Sequence, residues 1–173
     1  VLHGDVLNAA SPYNAITPAQ IEASGLAYLA LGHIHAQSGL LRAGDTCYAW
    51  PGCPMGRGFD ELGEKGVYLG LVGEGRCTLT FTPLGAPKYE ILRVAAGDDA
   101  LAAIERALPA DTQNDIYRIL LTGEAPEIDL AALRRALDGR FFACTLRDET
   151  TPRRDLWEGC GADTLRGLFL QQL

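Results

Sequence analysis

The sequence predicts an α/β (α+β) protein in two parts, residues 1–88 and 89–173. Strand-like and helix-like hydrophobic patterns follow one another along the chain, which is typical of mixed folds. A short stretch with prolines at both ends, residues 83–87, separates the two parts and is typical of a linker. With 173 residues, 47% of them hydrophobic, the chain is long enough to bury a core without disulfides or a structural metal.

We expect the first part to begin with the end of a buried strand at residues 1 and 2 and to run irregularly to Ile16. Residues 17–20, Thr-Pro-Ala-Gln, predict the start of a helix with a capping box, and Gly25 predicts its end. The next six residues, 26–31, are apolar without a polar face, so they predict a buried strand.

Prolines and glycines are concentrated between residues 45 and 63, and this predicts a shaped loop without regular structure. Strand patterns at 67–72 and 77–82 flank a Gly-rich turn and predict a β-hairpin. In the second of these strands Leu79 and Phe81 alternate with threonines, so we expect one face of the hairpin to be buried.

The second part has a pattern of βαβαβ character. Asp98 or Asp99 is expected to cap its first helix and Asp129 its second, and Asp163 is expected to cap a further helix that continues to the end of the chain. The predicted strands are 89–94, 116–122 and 141–147, and the predicted helices are 98–108 and 129–138.

Charge and cysteine content restrict the function and the compartment. The net charge of −7 argues against a protein that binds polyanions by bulk electrostatics, but it leaves room for a phosphate contact bridged by a metal. No apolar run approaches the roughly 20 residues that span a bilayer, so we expect a soluble protein without membrane contacts. The five cysteines form no CxxC pair, which favours a reducing cytoplasm and buried thiols that pack as small hydrophobic groups.

The three histidines of the chain are the strongest chemical signal. His33 and His35 follow a predicted buried strand, and His3 follows another short apolar run. Ligand sites of open α/β sheets lie at the carboxyl ends of the strands, so the three imidazoles can face one crevice. Three imidazoles suit zinc, manganese or iron. The alternative, partly exposed loop histidines without a ligand, stays open at this point.

These histidines lie in a recognisable context. Leu31-Gly32-His33-Ile34-His35, with Leu2-His3-Gly4 upstream, resembles the last two conserved blocks of the calcineurin-like metallophosphoesterases. The loop 50–61, WPGCPMGRGFDE, with Gly-Glu-Lys-Gly at 63–66 after it, is similar to the SbcD-type DNA-repair exonuclease branch of that family. The resemblance covers residues 1–90, and the order of elements beyond them is similar to the capping domain of the same branch.

The resemblance implies part of a two-sheet metallophosphoesterase sandwich followed by a small α+β capping domain. It implies that His3 and His33 hold one divalent metal and His35 the other, usually Mn²⁺. Such a pair of metals clamps a phosphodiester and activates a water for in-line attack. The substrate implied is a DNA end, and the partners implied are a second copy of the chain and a coiled-coil ATPase.

The carboxylate-bearing blocks of the family, a DxH, a GD with a downstream Asp and a GNHD/E, do not occur in these 173 residues. Both ends of the chain look cut. We therefore expect residues 1–88 to be the carboxyl-terminal half of a phosphoesterase domain and 89–173 an incomplete capping domain. Three imidazoles without a bridging carboxylate should not hold a two-metal centre, so this chain alone is expected to be inactive.

Arg57 and Phe59 are candidates for substrate binding, through a phosphate contact and through stacking on a base or sugar. In the structural alternative Phe59 packs into the core and Arg57 pairs with Asp60 or Glu61. Two other functions also stay open. One is a phosphodiesterase for nucleotides or small diesters, which the acidic balance favours, and the other is a free-standing, inactive interaction module.

Overall fold

The computed structural model describes residues 1–73, 75–152, 163–170 and 172. Strands and helices alternate through these residues, which confirms the α/β (α+β) fold class. In chain order the elements are β1 (Leu2–His3), α1 (Pro18–Ala23), β2 (Tyr28–Gly32), β3 (Leu41–Ala43), β4 (Thr46–Ala49), β5 (Gly66–Gly73), β6 (Arg76–Pro83), β7 (Tyr89–Ala95), α2 (Ala100–Ala107), β8 (Ile116–Thr122), β9 (Glu124–Ala125), α3 (Leu130–Ala136), β10 (Ala143–Asp148), β11 (Thr151–Pro152) and α4 (Leu165–Leu170).

The first sheet has the strand order β1-β2-β4-β3. Strands β1, β2 and β4 are parallel, and β3 is antiparallel to β4. Helix α1 begins with the predicted capping box, in which the Thr17 side chain and the Gln20 side chain each accept a backbone N–H of the other residue. The buried side chains of this sheet and its helix form one core: Ile16, Ile21, Leu29, Leu31, Ala43 and Trp50.

Two predictions for the first part are wrong. Strand β1 is exposed instead of buried, with Leu2 49% exposed, because β1 is an edge strand of the sheet. The segment predicted as loop from residue 45 contains strand β4, since its prolines and glycines begin only at Pro51. Residues 46–49, Thr-Cys-Tyr-Ala, include β-branched and aromatic side chains that suit a strand.

The hairpin of β5 and β6 and the βαβαβ order of the second part are confirmed, but the hairpin face expected to be buried is only half-buried at Leu79 and Phe81. Strands β7, β8 and β10 form a parallel sheet in the order β10-β8-β7. Asp99 caps α2 and Asp129 caps α3, each through a carboxylate that accepts backbone N–H groups of the first turn. The second core consists of Val94, Ala96, Ala103, Ile104, Tyr117, Ile119, Leu121, Ala125, Leu133 and Leu137.

The end of the chain differs from its prediction. Helix α4 is capped by Thr164 and not by Asp163, because the Thr164 hydroxyl accepts the backbone N–H of Gly167 at 3.1 Å. One residue of the hairpin turn, Glu74, lies outside the described residues, as does Cys160. In the described ranges, none of the helices has the length and apolar character needed to cross a bilayer.

The loop between β4 and β5 contacts the start of the second part. The Phe59 ring meets the Tyr89 ring edge to face, with centroids 5.2 Å apart, and the Arg118 guanidinium lies 3.9 Å above the Phe59 centroid. The backbone N–H of Gly63 donates to the carbonyl of Tyr89 at 3.0 Å. The two cores lie on either side of the predicted boundary at residue 88, while the division into domains stays a prediction.

Candidate metal centre

Two of the three histidines lie at the carboxyl ends of neighbouring parallel strands. In the register of β1 and β2, His3 is opposite Gly32, and the backbone N–H of Gly4 donates to the Gly32 carbonyl at 3.3 Å. The imidazoles of His3 and His33 meet edge to face with ring centroids 5.3 Å apart. A Cβ at residue 32 would lie 3.0 Å from Nδ1 of His3, so a glycine here leaves room for the His3 imidazole.

His33 has a strained backbone. Its φ of +103° lies in a region that residues with a Cβ rarely adopt, at a cost of about 1–3 kcal/mol. Such a conformation persists only where the surroundings hold it. Here the half-buried imidazole packs against His3 and against the Tyr13 ring, whose centroid is 5.2 Å away. Strain of this kind is concentrated at functional positions, which makes His33 the best candidate ligand of the pair.

The segment between β1 and α1 supports these two histidines. The Asn14 side-chain amide donates to the His3 carbonyl at 3.0 Å, and the backbone N–H of Asp5 donates to the Asn14 carbonyl at 3.1 Å. The Asp5 carboxylate accepts the Leu7 N–H at 2.8 Å, and this bond is the main cause of its lowered pKa. A positive charge on His33 also lowers the pKa of Asp5, so the two groups attract each other electrostatically.

His35 belongs to a different group of side chains. Its Nδ1 is hydrogen-bonded to Oε1 of Glu61, and the other Glu61 oxygen accepts the backbone N–H of Arg57 at 2.9 Å and faces the Cys53 Sγ at 3.7 Å. The His35 side chain is 61% exposed and the Glu61 side chain only 12%. The bond from His35, followed by that from Arg57, lowers the pKa of Glu61. The lowered pKa favours the carboxylate form of Glu61, which orients the imidazole of His35 through Nδ1 so that Nε2 is the nitrogen left to face a metal.

Gly52 brings Cys53 against the backbone of His35. The Cys53 N–H donates to the His35 carbonyl at 3.1 Å. A Cβ at residue 52 would lie 2.5 Å from that same carbonyl oxygen, and Gly52 has a φ of +86°. Both the backbone conformation and the close approach thus require a glycine at this position.

The loop residues predicted to bind substrate have structural neighbours. The Phe59 ring is covered on one face by Arg118 and touched by the edge of Tyr89, which favours the structural interpretation of Phe59. Arg57 is exposed and contributes its backbone N–H to Glu61. In the described parts of the chain its guanidinium makes no ion pair, so the alternative pairing with Asp60 or Glu61 does not occur there.

The residues that orient the histidines were not predictable from the sequence. Glu61 and Asn14 carry no signal of their own in one sequence, because their contacts with His35 and His3 depend on how two loops fold back. The prediction of buried cysteines is right for Cys47 and Cys77 and wrong for Cys53 and Cys144, which are half-buried, Cys53 beside Glu61. The roles of His3, His33 and His35 as ligands, and of Arg57 and Phe59 in substrate binding, stay predictions.

The donor set is compatible with divalent metals. His3 and His33 are close enough to face one ion, and His35 presents its Nε2 from a separate, oriented imidazole. A histidine whose second nitrogen is bound to a carboxylate is the usual arrangement of a metal-binding imidazole. The described residues thus fit a set of nitrogen ligands, with the oxygen ligands still to be supplied.

Comparison with known proteins also points to a metal-dependent protein. The chain matches no protein-family model. It does match a relative in the metallophosphoesterases, which supports a relationship to this superfamily of metal-dependent phosphoester hydrolases. The relative is the Bacillus subtilis (strain 168) protein named "Uncharacterized metallophosphoesterase YhaO". It is 28% identical over 171 residues, which cover 91% of this chain and 40% of the relative, so the chain spans about two fifths of that protein's length.

Proposed function

We propose that this chain is part of a metal-dependent phosphodiesterase, with residues 1–88 forming the carboxyl-terminal half of the catalytic domain and 89–173 forming part of a capping domain. The observation that carries the proposal is the pairing of β1 with β2, which brings His3 and His33 to adjacent strand ends with their imidazoles 5.3 Å apart. The match to a metallophosphoesterase supports the same conclusion from the sequence.

In this proposal His3 and His33 bind one divalent metal and His35 binds a second through Nε2. Mn²⁺ suits the mixed nitrogen and oxygen ligands of such a centre. Two metals together activate a water and stabilise the charge of a phosphodiester during in-line displacement. Glu61 keeps His35 in the required tautomer, and Asn14 and Tyr13 hold the strand ends at which His3 and His33 lie.

The proposed substrate is a DNA end, with a second copy of the chain and a coiled-coil ATPase as partners. Arg57 is the residue of the loop available for a phosphate, because it is exposed and its backbone N–H binds Glu61 of the His35 group. The net charge of −7 favours a second candidate, a nucleotide or small-diester phosphodiesterase, since enzymes that grip duplex DNA usually carry a basic stripe.

The test is Mn²⁺-dependent hydrolysis of bis(p-nitrophenyl) phosphate by the full-length product of the gene. His33→Asn removes the imidazole while keeping a residue that tolerates a positive φ. We expect it to lower kcat/KM more than about 100-fold, because losing even an outer partner of a metal ligand costs about 10–100-fold. The matched control is Arg42→Gln on β3, at the edge of the sheet opposite β1, which should leave the rate unchanged.

Hydrolysis that is independent of metal, or equal in His33→Asn and in the wild type, would refute the proposal. A comparison of duplex DNA ends with mononucleotide diesters then separates the two substrates. Preference for duplex ends supports the exonuclease, and preference for mononucleotide diesters supports the second candidate. Absence of any metal-dependent activity in the full-length protein favours an interaction module.

A further inference from the structure

We propose that His35, Cys53 and Glu61 form a binding site for a soft divalent cation, with Zn²⁺ as the best fit, and that this site shares His35 with the phosphoesterase centre. Their ligand atoms, one imidazole nitrogen, one sulfur and one carboxylate oxygen, all lie within 4.8 Å of one another. A thiolate is a poor ligand for Mn²⁺ and a strong one for Zn²⁺. The site therefore differs in chemistry from the centre proposed for His3 and His33.

One pair of these atoms already has the spacing of a zinc site. Zinc binds sulfur at about 2.3 Å and nitrogen or oxygen at about 2.1 Å, so neighbouring ligands of a tetrahedral site lie about 3.6 Å apart. The Cys53 Sγ lies 3.7 Å from Oε2 of Glu61. Nδ1 of His35 is in direct hydrogen-bond contact with Oε1 of Glu61, so the exposed imidazole must move outward before an ion fits between these two atoms.

The backbone holds the cysteine in place before any metal binds. Cys53 donates its N–H to the His35 carbonyl at 3.1 Å, while the Arg57 N–H fixes Glu61 from the other side. The loop of Cys53 is thus connected to His35 by a hydrogen bond that does not involve the ligand atom of Cys53. Since the three side chains are exposed or half-buried, solvent can reach the site and supply a water as fourth ligand.

Charge and protons balance on binding. Zn²⁺ with one thiolate, one carboxylate and one neutral imidazole has no net charge. The Cys53 thiol releases its proton to solvent as the S–Zn bond forms. The proton of His35 moves from Nδ1 to Nε2, and Nδ1 then donates its lone pair to the metal.

This proton shift connects the zinc site to the proposed function, and the inhibition that follows from it rests on that function. An imidazole that binds Zn²⁺ through Nδ1 carries a hydrogen on Nε2 and cannot bind a second metal there. Zn²⁺ at His35, Cys53 and Glu61 would therefore remove His35 from the phosphoesterase centre. Zinc bound here inhibits the proposed enzyme in competition with Mn²⁺.

The experiment uses Co²⁺ as a spectroscopic substitute for zinc in the full-length, fully reduced protein. Cobalt bound to a thiolate gives a near-ultraviolet charge-transfer band that cobalt bound only to imidazoles lacks. We expect one Co²⁺ to produce this band and Zn²⁺ to remove it by displacement. Cys53→Ser should abolish the band and weaken Zn²⁺ binding by more than about tenfold.

The matched control is Cys144→Ser. Burial raises the pKa of the Cys144 thiol to about 11, and this residue lies in the second part, so its replacement should leave the band unchanged. A second variant, Glu61→Gln, keeps the shape of the side chain while removing its charge and should weaken Zn²⁺ binding. Circular dichroism of each variant checks that the fold is intact.

A band that survives Cys53→Ser, or no band at saturating Co²⁺, would overturn the zinc site. These readouts do not depend on phosphodiester hydrolysis, so the zinc site and the proposed function fail separately. If the band depends on Cys53 but Zn²⁺ leaves Mn²⁺-dependent hydrolysis unchanged, the site exists and its competition with the phosphoesterase centre is refuted.

Discussion

Replacing Gly52 by alanine tests how the loop between β4 and β5 reaches the candidate centre. Gly52 has a φ of +86°, and a Cβ at this position would lie 2.5 Å from the His35 carbonyl oxygen and 3.1 Å from two backbone carbons of residues 35 and 36. Backbone atoms cannot turn aside as a flexible side chain can. In Gly52→Ala, either the loop moves away from His35 or the new Cβ overlaps with the His35 carbonyl oxygen.

Two costs add in this substitution. An L-residue in the left-handed region costs about 1–2 kcal/mol, and forcing an extra carbon into a packed space costs about 1–3 kcal/mol more. The expected loss in the free energy of unfolding is therefore about 2–5 kcal/mol. Gly63→Ala is the matched control, because Gly63 lies in the same loop with a φ of +77° and its Cβ would meet no atom within 4 Å. It should bear the first cost only, about 1–2 kcal/mol.

The assay is urea unfolding followed by the fluorescence of Trp50, which is 5% exposed and belongs to the core of the first sheet. The second tryptophan, Trp157, is replaced by phenylalanine in every variant so that the signal reports one core. Equal destabilisation by Gly52→Ala and Gly63→Ala would refute the argument, since the two differ only in the contact with His35. A stable Gly52→Ala protein would refute it more directly.

Three further predictions concern strain, packing and pH. His33→Gly should raise the free energy of unfolding by about 1 kcal/mol, because release of the strain at φ +103° outweighs the entropy that a glycine loses on folding; the same chemical denaturation measures it. Ile104→Ala should lower that free energy by about 2–5 kcal/mol, because Ile104 is fully buried in the second core; circular dichroism during urea unfolding measures it. Hydrogen bonds from the N–H groups of Ala132 and Ala131 lower the pKa of Asp129. The ionised Asp129 therefore stabilises the folded protein above the unfolded-state pKa, about 3.9, and this contribution is lost as the pH falls through the folded-state pKa. The free energy of unfolding, measured between pH 6 and pH 2, should fall less steeply in Asp129→Asn, which keeps a capping side chain.

Each of these predictions has a contrasting outcome. A less stable His33→Gly protein would mean that the surroundings do not strain residue 33. Leu71→Ala is the control for Ile104→Ala, because Leu71 is 80% exposed and its loss should change the free energy of unfolding by no more than about 0.5 kcal/mol. If the free energy of unfolding depends on pH in the same way in Asp129→Asn and in the wild type, Asp129 does not contribute to acid unfolding.

Much of the fold is predictable from sequence because local signals and hydrophobic period agree. The capping box at Thr17 and the cap at Asp129 each identify a helix start from a few neighbouring residues. The burial of strand β1 was not predictable in this way. Its apolar residue Leu2 predicts burial, but burial depends on what covers an edge strand, and no local pattern contains that information.

The candidate centre was predictable to a similar degree. The positions of His3 and His33 at strand ends follow from apolar runs that precede them, and their proximity follows from the parallel pairing of the two strands. The contact of Glu61 with His35 joins residues 26 positions apart through an irregular loop. Loop conformations depend on tertiary contacts and on glycines with positive φ. A single sequence therefore predicts which residue types lie in the loop, but not which atoms they contact.

The same loop connects the candidate centre to the second part of the protein. Glu61 orients His35, and Phe59, two residues earlier, lies between Tyr89 and Arg118 of the second part. An aromatic pair of this kind contributes about 0.5–1.5 kcal/mol beyond its buried area, enough to favour one conformation of a segment without regular structure. Because Gly63 also donates to the Tyr89 carbonyl, the segment is held on both sides of Glu61. The orientation of His35 therefore depends on residues of the second part that have no contact with the imidazole themselves.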